Sequence, residues 1–448
     1  MTDPRQFRRF RFVRHAYAEG VAELVYAFDD GEELIERITF PAAPALPAGR
    51  EAAFAAALQL LHLIVGVSYY KAGVPEQIVV EGELPDQDTA ELLDDLYLHG
   101  LAEFAYRNGL DLRGRIRFPH NGRRAAVPPA LGLASRTLVP LGGGKDSLVS
   151  VEAIRQIGVE ASVVWVSHSP LIEACAERTG LPQLHLQREL APGLFELNRL
   201  GGWNGHVPVT AINSAILLLA ALIYDYDTIA FSNERSASAA TLEYEGQAVN
   251  HQWSKGYAFE QGLQQWVRQH LAADLSYCSL LRPYAELAVT RAFARLGSAY
   301  FDVFSSCNRN FRILGPRPAD RWCGQCPKCH FVFLALAPFM PKPRLLAIFG
   351  RNLLDDESQT AGFDALLEYH DHKPFECVGE GGEARAAMHA LGQRPEWRED
   401  ALVARFVSEI LPQLDPAGLA MEPWLQASSE HQLPARLLPA LAVIQGPC

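Results

Sequence analysis

The hexapeptide Gly142-Gly143-Gly144-Lys145-Asp146-Ser147 puts three glycines directly before a lysine, an aspartate and a serine. Glycine lets a backbone turn through positive φ and approach a ligand closely, and the N–H groups at the start of a following helix attract anions. Phosphate is the expected guest. The Walker A pattern fails because Lys145 is followed by Asp146 where Ser or Thr is required, and the dinucleotide pattern fails for want of its last glycine. A glycine turn with no ligand is the competing reading. Context disfavours it, since an apolar run from Leu138 to Leu141 precedes the loop and a helical pattern opens near Leu148.

Four cysteines cluster as Cys307 and the C-x-x-C-x-x-C run Cys323, Cys326 and Cys329. Four thiolates close a tetrahedral shell, which makes zinc the default and its role structural, because no coordination position stays open. An iron–sulfur cluster is the competitor, although the short-range fourth cysteine of ferredoxin-type runs is missing. Cys175, Cys278, Cys377 and Cys448 stand singly. Such usage is that of a metal site in a reducing, cytoplasmic compartment rather than of a disulfide framework.

Two polar segments follow. Ser232-Asn233-Glu234-Arg235-Ser236 comes straight after an apolar run, where Asn233, Arg235 and Ser236 can bind substrate and Glu234 can serve as an acid or base; the bland alternative is a helix N-cap with solvated charges. Asn250-His251-Gln252-Trp253-Ser254-Lys255 gathers an imidazole, an indole and an ammonium in six residues. That density in a loop favours ligand contact, with His251 as a second proton-transfer candidate and Lys255 as a substrate ligand. The glycine-rich stretch Gly201 to His206 reads equally as a substrate loop or a connection, and Arg113, Arg115 and Arg117 read best as a solvated face.

Groups of this kind need strand ends to hold them. From Arg136 onward, apolar runs at Leu138 to Leu141, Ala161 to Val166, Gln183 to Leu186, Thr228 to Ser232 and Tyr300 to Phe304 alternate with helical patterns, the sequence form of a parallel α/β sheet. Ligands bind beyond the carboxyl ends of such strands. Upstream, period-two segments from Val21 to Phe28 and Ile35 to Phe40, split by Asp29-Asp30-Gly31, predict a hairpin followed by helices from Glu51 and Asp88. The stretch Asn121 to Leu133 has no period and reads as a linker. The expected organisation is an N-terminal α+β module (1–125), a catalytic α/β domain carrying the four cysteines (136–337) and a helical C-terminal region (338–448).

Composition sets the outer limits. With 448 residues, 49% apolar and 21% charged, the chain excludes disorder and fibres, and a formal charge of −12 argues against a nucleic-acid partner. The apolar stretch Ala215 to Tyr224 is too short to span a membrane, and Met1 to Val13 lacks the apolar core of a signal peptide.

The segment GGGKDS resembles the S-G-G-x-D-S loop of the PP-loop ATP-pyrophosphatases, with Gly142 standing where that superfamily usually has Ser. The resemblance implies an adenine nucleotide alpha hydrolase-like parallel sheet, ATP held by Gly142, Gly143, Gly144, Lys145, Asp146 and Ser147, and Asp146 beside the phosphates as a catalytic group holding Mg²⁺. The cysteine arrangement is similar to that of 7-cyano-7-deazaguanine synthase, where zinc is structural. The order GGGKDS, SNERS, NHQWSK, Phe259-Glu260 and SCN…WCGQCPKC, reaching to about Phe333, resembles the UDP-N-acetylmuramoyl-L-alanyl-L-glutamate epimerases of cell-wall synthesis. Membership implies a UDP-MurNAc-dipeptide substrate and ATP-dependent inversion of its terminal glutamate through an acyl-adenylate. An amide- or nitrile-forming enzyme on a nucleobase precursor, or a nucleotide sensor without turnover, are the alternatives.

Overall fold

The computed structural model describes residues 3–125, 127–312, 315–370 and 372–446; Cys448 lies outside them. One nine-stranded sheet organises the chain. Its strands are β1 (Arg9–Ala18), β2 (Val21–Phe28), β3 (Leu34–Thr39), β4 (Gln77–Val80), β5 (Thr137–Pro140), β6 (Ala161–Val166), β7 (Gln183–Glu189), β8 (Thr228–Phe231) and β11 (Ser276–Ser279), while β9 (Leu242–Tyr244) and β10 (Gln247–Val249) form a separate hairpin. The order is β11-β8-β5-β6-β7-β3-β2-β1-β4, parallel from β11 through β7 and antiparallel from β7 to β1.

The expected hairpin is present: β2 pairs antiparallel with β3, Val25 opposite Ile35, across the turn at Asp29-Asp30-Gly31. A second hairpin precedes it: Phe10 and Phe12 point into the core from β1, and the chain reverses into β2 through Glu19 (φ 51°) and Gly20 (φ 79°). A side chain at Gly20 would meet the Phe40 carbonyl oxygen at 2.8 Å, so this turn needs glycine on two counts. Helices open at Glu51 and at Gln87, as the pattern indicates. What the sequence does not reveal is that β3 pairs with β7, Ile38 opposite Arg188, so the N-terminal strands extend the parallel sheet across the 121–133 segment. Fully buried Glu36 accepts from Arg188 Nε at 2.6 Å and from the Tyr69 hydroxyl at 2.8 Å, stitching the two halves together.

The helix Val209–Tyr224 is apolar all round, is buried against the helix Glu51–Val65, and ends where Asp225 turns to φ 66°. The segment Glu51–Tyr70 is long and apolar enough to cross a bilayer, but 72% of its apolar window is buried inside the protein, as in a core helix. The expected strand at Tyr300 to Phe304 is not one: its aromatics turn through a short 3₁₀ helix and pack on Phe293 and Trp322, and the outer parallel strand is β11 instead. An apolar run of this length has no period by which to tell a strand from a packed turn. Arg113, Arg115 and Arg117 likewise lie on no strand. The tail is helical at Thr360–Leu366, Gly381–Gly392 and Ala401–Arg405 and packs on the helices Glu286–Leu296 and Pro327–Leu336.

Candidate active site

β5 is the strand at which the order reverses: β6 lies on one side of it and β8 on the other. The crevice of an open parallel sheet forms at the carboxyl ends of such strands. The loop 142–144 leaves β5 there. Gly143 has φ 76°, and a side chain at Gly144 would strike the Ser306 hydroxyl at 2.7 Å. Gly144 starts the helix Lys145–Gln156 and no side chain caps it. Its first N–H groups are therefore available to an anion. A cavity of about 440 Å³ opens over this helix start, walled by Gly142, Asp146 and Ser147, by Asn213, by Asn233 from the end of β8, and by Lys255, Ser306, Lys328 and Cys377.

Charge is concentrated at one end of it. Asp146, Glu234 and Glu286 bring carboxylate oxygens within 4.8 Å of one another. Fully buried Lys145 binds both Asp146 and Glu286, and Lys328 stands 3.5 Å from Glu286. Burial, then the neighbouring Glu286 and Asp146, push the Glu234 carboxyl up to about 7. Burial also works against the Asp146 charge, but the Lys145 and Lys328 ammonium groups outweigh it and hold this carboxyl below its usual range. Three carboxylates this close form a donor set suited to a divalent, oxygen-preferring cation.

The other end is built around sulfur. Cys377 reaches the cavity wall from the loop before the helix Gly381–Gly392, with its Sγ 3.3 Å from Lys255 Nζ. His251 lies beside the same sulfur and binds Glu103 through Nδ1, and His206 lies with its ring centroid 4.2 Å from that of His251. Burial opposes a charged sulfur, yet Lys255, His251 and Lys328 pull the Cys377 thiol down to about 5. Burial likewise opposes a charged imidazole, yet the bonds to Cys377 and Glu103 push His251 up to about 9. Fully buried Arg282 ties the two ends together: it pairs with Glu260 at 2.9 Å and donates to the Glu234 and Lys255 carbonyls at 2.8 and 2.5 Å.

The residues singled out from sequence thus divide. Gly142, Gly144, Asp146, Ser147, Asn233 and Lys255 line the cavity, and Lys145 and Glu234 sit at its acidic end. Arg235 and Ser236 face elsewhere: the Arg235 guanidinium reaches the Pro283 carbonyl, and the Ser236 hydroxyl donates to Glu383 at 2.6 Å. Glu103, His206, Glu286, Lys328 and Cys377 were not found from sequence. His206 alone carried a signal, in the glycine-rich stretch left open above.

Below the cavity, the sulfurs of Cys307, Cys323, Cys326 and Cys329 lie within 4.8 Å of one another, with contacts of 3.5, 3.7 and 4.0 Å. A tetrahedron of Zn–S bonds of about 2.3 Å has S···S edges of about 3.8 Å. The cluster fits a metal ion.

Fold and cavity together define an α/β enzyme with its site at the carboxyl ends of a mostly parallel sheet. The chain matches the MurL N-terminal domain over residues 1–280 and the MurL C-terminal domain over residues 303–419. It is 60% identical over 438 residues, 97% of each chain, to the UDP-N-acetyl-alpha-D-muramoyl-L-alanyl-L-glutamate epimerase of Xanthomonas oryzae pv. oryzae. Proteins of the same name from Salinispora tropica and Micromonospora sp. are 41% and 40% identical, over 91% and 95% of this chain and 90% and 95% of theirs. The chain belongs to this MurL epimerase family, and it is an isomerase.

Proposed function

We propose that this chain inverts the terminal L-glutamate of UDP-MurNAc-L-Ala-L-Glu to D-glutamate in cytoplasmic peptidoglycan precursor synthesis, converting ATP to AMP and pyrophosphate, in a sheet of PP-loop type. The observation that supports it most directly is the uncapped glycine loop facing an acidic cluster across one cavity, in a chain whose relatives are named for that epimerisation.

The chemistry explains the need for ATP. Removing a proton from a carbon beside a carboxylate builds a second negative charge next to the first. Transferring AMP to that carboxylate removes the first charge, so the electron pair left by the proton can move onto the acyl carbonyl oxygen. Pyridoxal phosphate has no opening here, because the glutamate nitrogen is already in a peptide bond and cannot form a Schiff base.

In this reading the N–H groups of residues 142–147 cradle the ATP phosphates and Lys145 orders the acidic end. Asp146, Glu234 and Glu286 would hold Mg²⁺, which supplies neutralisation of the pyrophosphate leaving group. Asn233, anchored on the Ser279 hydroxyl at 3.0 Å, presents a polar group to substrate. Zinc in the four-cysteine cluster would be structural and take no part in the reaction.

Incubation with ATP, Mg²⁺ and UDP-MurNAc-L-Ala-L-Glu, scored for AMP, pyrophosphate and glutamate chirality, tests the reading. D-Glutamate formed in step with AMP is expected. AMP without inversion would leave an adenylating enzyme of another kind, and neither product would remove the proposal altogether.

A further inference from the structure

The reaction needs a group that takes the Cα proton, and the acidic end of the cavity is a poor place to find it. Asp146 and Glu286 are both engaged by Lys145, and Glu234 is crowded against them. A base has to face the cavity, carry a free electron pair and stand apart from the phosphate end.

We propose that Cys377, as a thiolate, is the catalytic residue that takes the Cα proton, and that Glu103 and His251 are the positioning residues that hold it ready. The assignment rests on the epimerase reading above. Of the described cysteines outside the metal cluster, Cys175 and Cys278 are fully buried, and Cys377 is the half-buried one that lines the cavity. Its sulfur sits 3.3 Å from Lys255 Nζ, with the imidazole of His251 beside it. Glu103 binds the His251 ring through Nδ1 and is itself held by Arg107 Nε at 2.6 Å. Lys328 donates to the Cys377 carbonyl and pins the loop. Carboxylate, imidazole and thiol in series form the arrangement that generates a thiolate at neutral pH. The low pKa of this sulfur is the electrostatic consequence of the same neighbours.

The step balances. The thiolate takes hydrogen from Cα, so a C–H bond breaks, an S–H bond forms and the electron pair moves onto the acyl carbonyl oxygen. Water on the opposite face delivers a proton to Cα with inversion and becomes hydroxide. The hydroxide takes back the thiol proton, which restores the thiolate and releases water.

The charged and titratable groups around Cys377 are Lys255, His251, Lys328 and Glu376, with Glu103, His206 and Arg107 behind the imidazole and Asp146 and Glu234 beyond Lys255. Removing the imidazolium therefore raises the thiol pKa.

The test is run in D₂O on the full chain with ATP, Mg²⁺ and UDP-MurNAc-L-Ala-L-Glu. Deuterium at Cα and ATP–pyrophosphate exchange are measured on the same samples, and acid-quenched protein is weighed intact. In Cys377→Ala and Cys377→Ser, Cα exchange should fall by about a hundredfold or more relative to pyrophosphate exchange in that same variant. Glu103→Gln and His251→Gln should move the acid limb of the exchange profile to higher pD, a shift that loss of structure alone would not cause. Cα exchange in Cys377→Ala as fast, relative to pyrophosphate exchange, as in the parent overturns the proposal. So does a substrate-sized acyl adduct on Cys377, which would make the sulfur a nucleophile rather than a base. If the parent protein takes up no deuterium in the presence of ATP, the epimerase reading itself falls and this assignment with it.

Discussion

The cysteines of this chain stand in different settings, and the difference lies in what surrounds each sulfur. The sulfurs of Cys307, Cys323, Cys326 and Cys329 face one another at 3.5 to 4.0 Å, with apolar side chains packed around them. Among the described residues Cys377 faces no other sulfur; it faces Lys255 and His251 at the edge of a polar cavity. Cys175 makes a third case, its thiol pushed up to about 12, first by burial. Four sulfurs together require a cation to be brought to them, whereas one sulfur between two cations is charged by the protein itself. Cysteine chemistry follows the local field and not the residue type.

Removing one sulfur of the cluster separates these settings most clearly. The purified protein is expected to carry one equivalent of zinc, and Cys326→Ser should lose it together with most of its soluble, folded protein, because binding energy at a structural zinc is folding energy. Elemental analysis and a thermal melt check both. Less than half an equivalent of zinc, with no iron, would leave the cluster without its role.

Next in size, Asp146→Asn leaves both kinds of cysteine in place and takes one negative charge from the acidic end. AMP formation should fall by about a hundredfold or more while zinc content and melting temperature hold. AMP made at near the parent rate would count against the phosphate assignment of this loop.

The contrast between Cys377 and Cys175 is then read by pH. Iodoacetamide followed by peptide mass mapping should modify Cys377 down to about pH 5 and leave Cys175 unmodified. Stability carries the same signature. The Cys377 pKa falls on folding, so its contribution is full above the ordinary thiol value of about 8.5 and drains as pH drops toward about 5. His251 has the opposite sign: its pKa rises, so its contribution is full below about 6.5 and is lost as pH climbs through about 9. Together they stabilise most near neutrality, and Cys377→Ser should flatten that maximum in denaturant titrations across pH.

The smallest expected effect sharpens how the Cys377 loop is held. Glu383, in the first turn of the helix that follows this loop, accepts from Ser236 at 2.6 Å and from the Leu287 N–H at 2.7 Å. Ser236→Ala leaves the buried carboxyl short of one partner and should cost about 1–2 kcal/mol in a denaturant melt. No measurable loss would show that the remaining contacts anchor the loop.

Whatever is written within a few residues of chain can be read before the fold is known. The glycine loop was legible because positive φ at Gly143 and close approach to Ser306 at Gly144 demand glycine where β5 turns into the helix Lys145–Gln156. The cysteine cluster was legible because two residues between cysteines let their sulfurs reach one ion. The period of Val21 to Phe28 and the apolar runs of β5, β6 and β8 gave the alternation of a sheet. Only the tertiary structure decided how these pieces share one cavity. Glu286 and Lys328 stand at helix starts that look ordinary in sequence, and Cys377 lies 122 positions from the Lys255 that charges it. The joining of β3 to β7 around buried Glu36 and half-buried Arg188 is also a long-range choice. An ion pair across that distance leaves no spacing to read. It exists only when backbone pairing and packing bring its two groups out of water together, and that is a property of the folded chain.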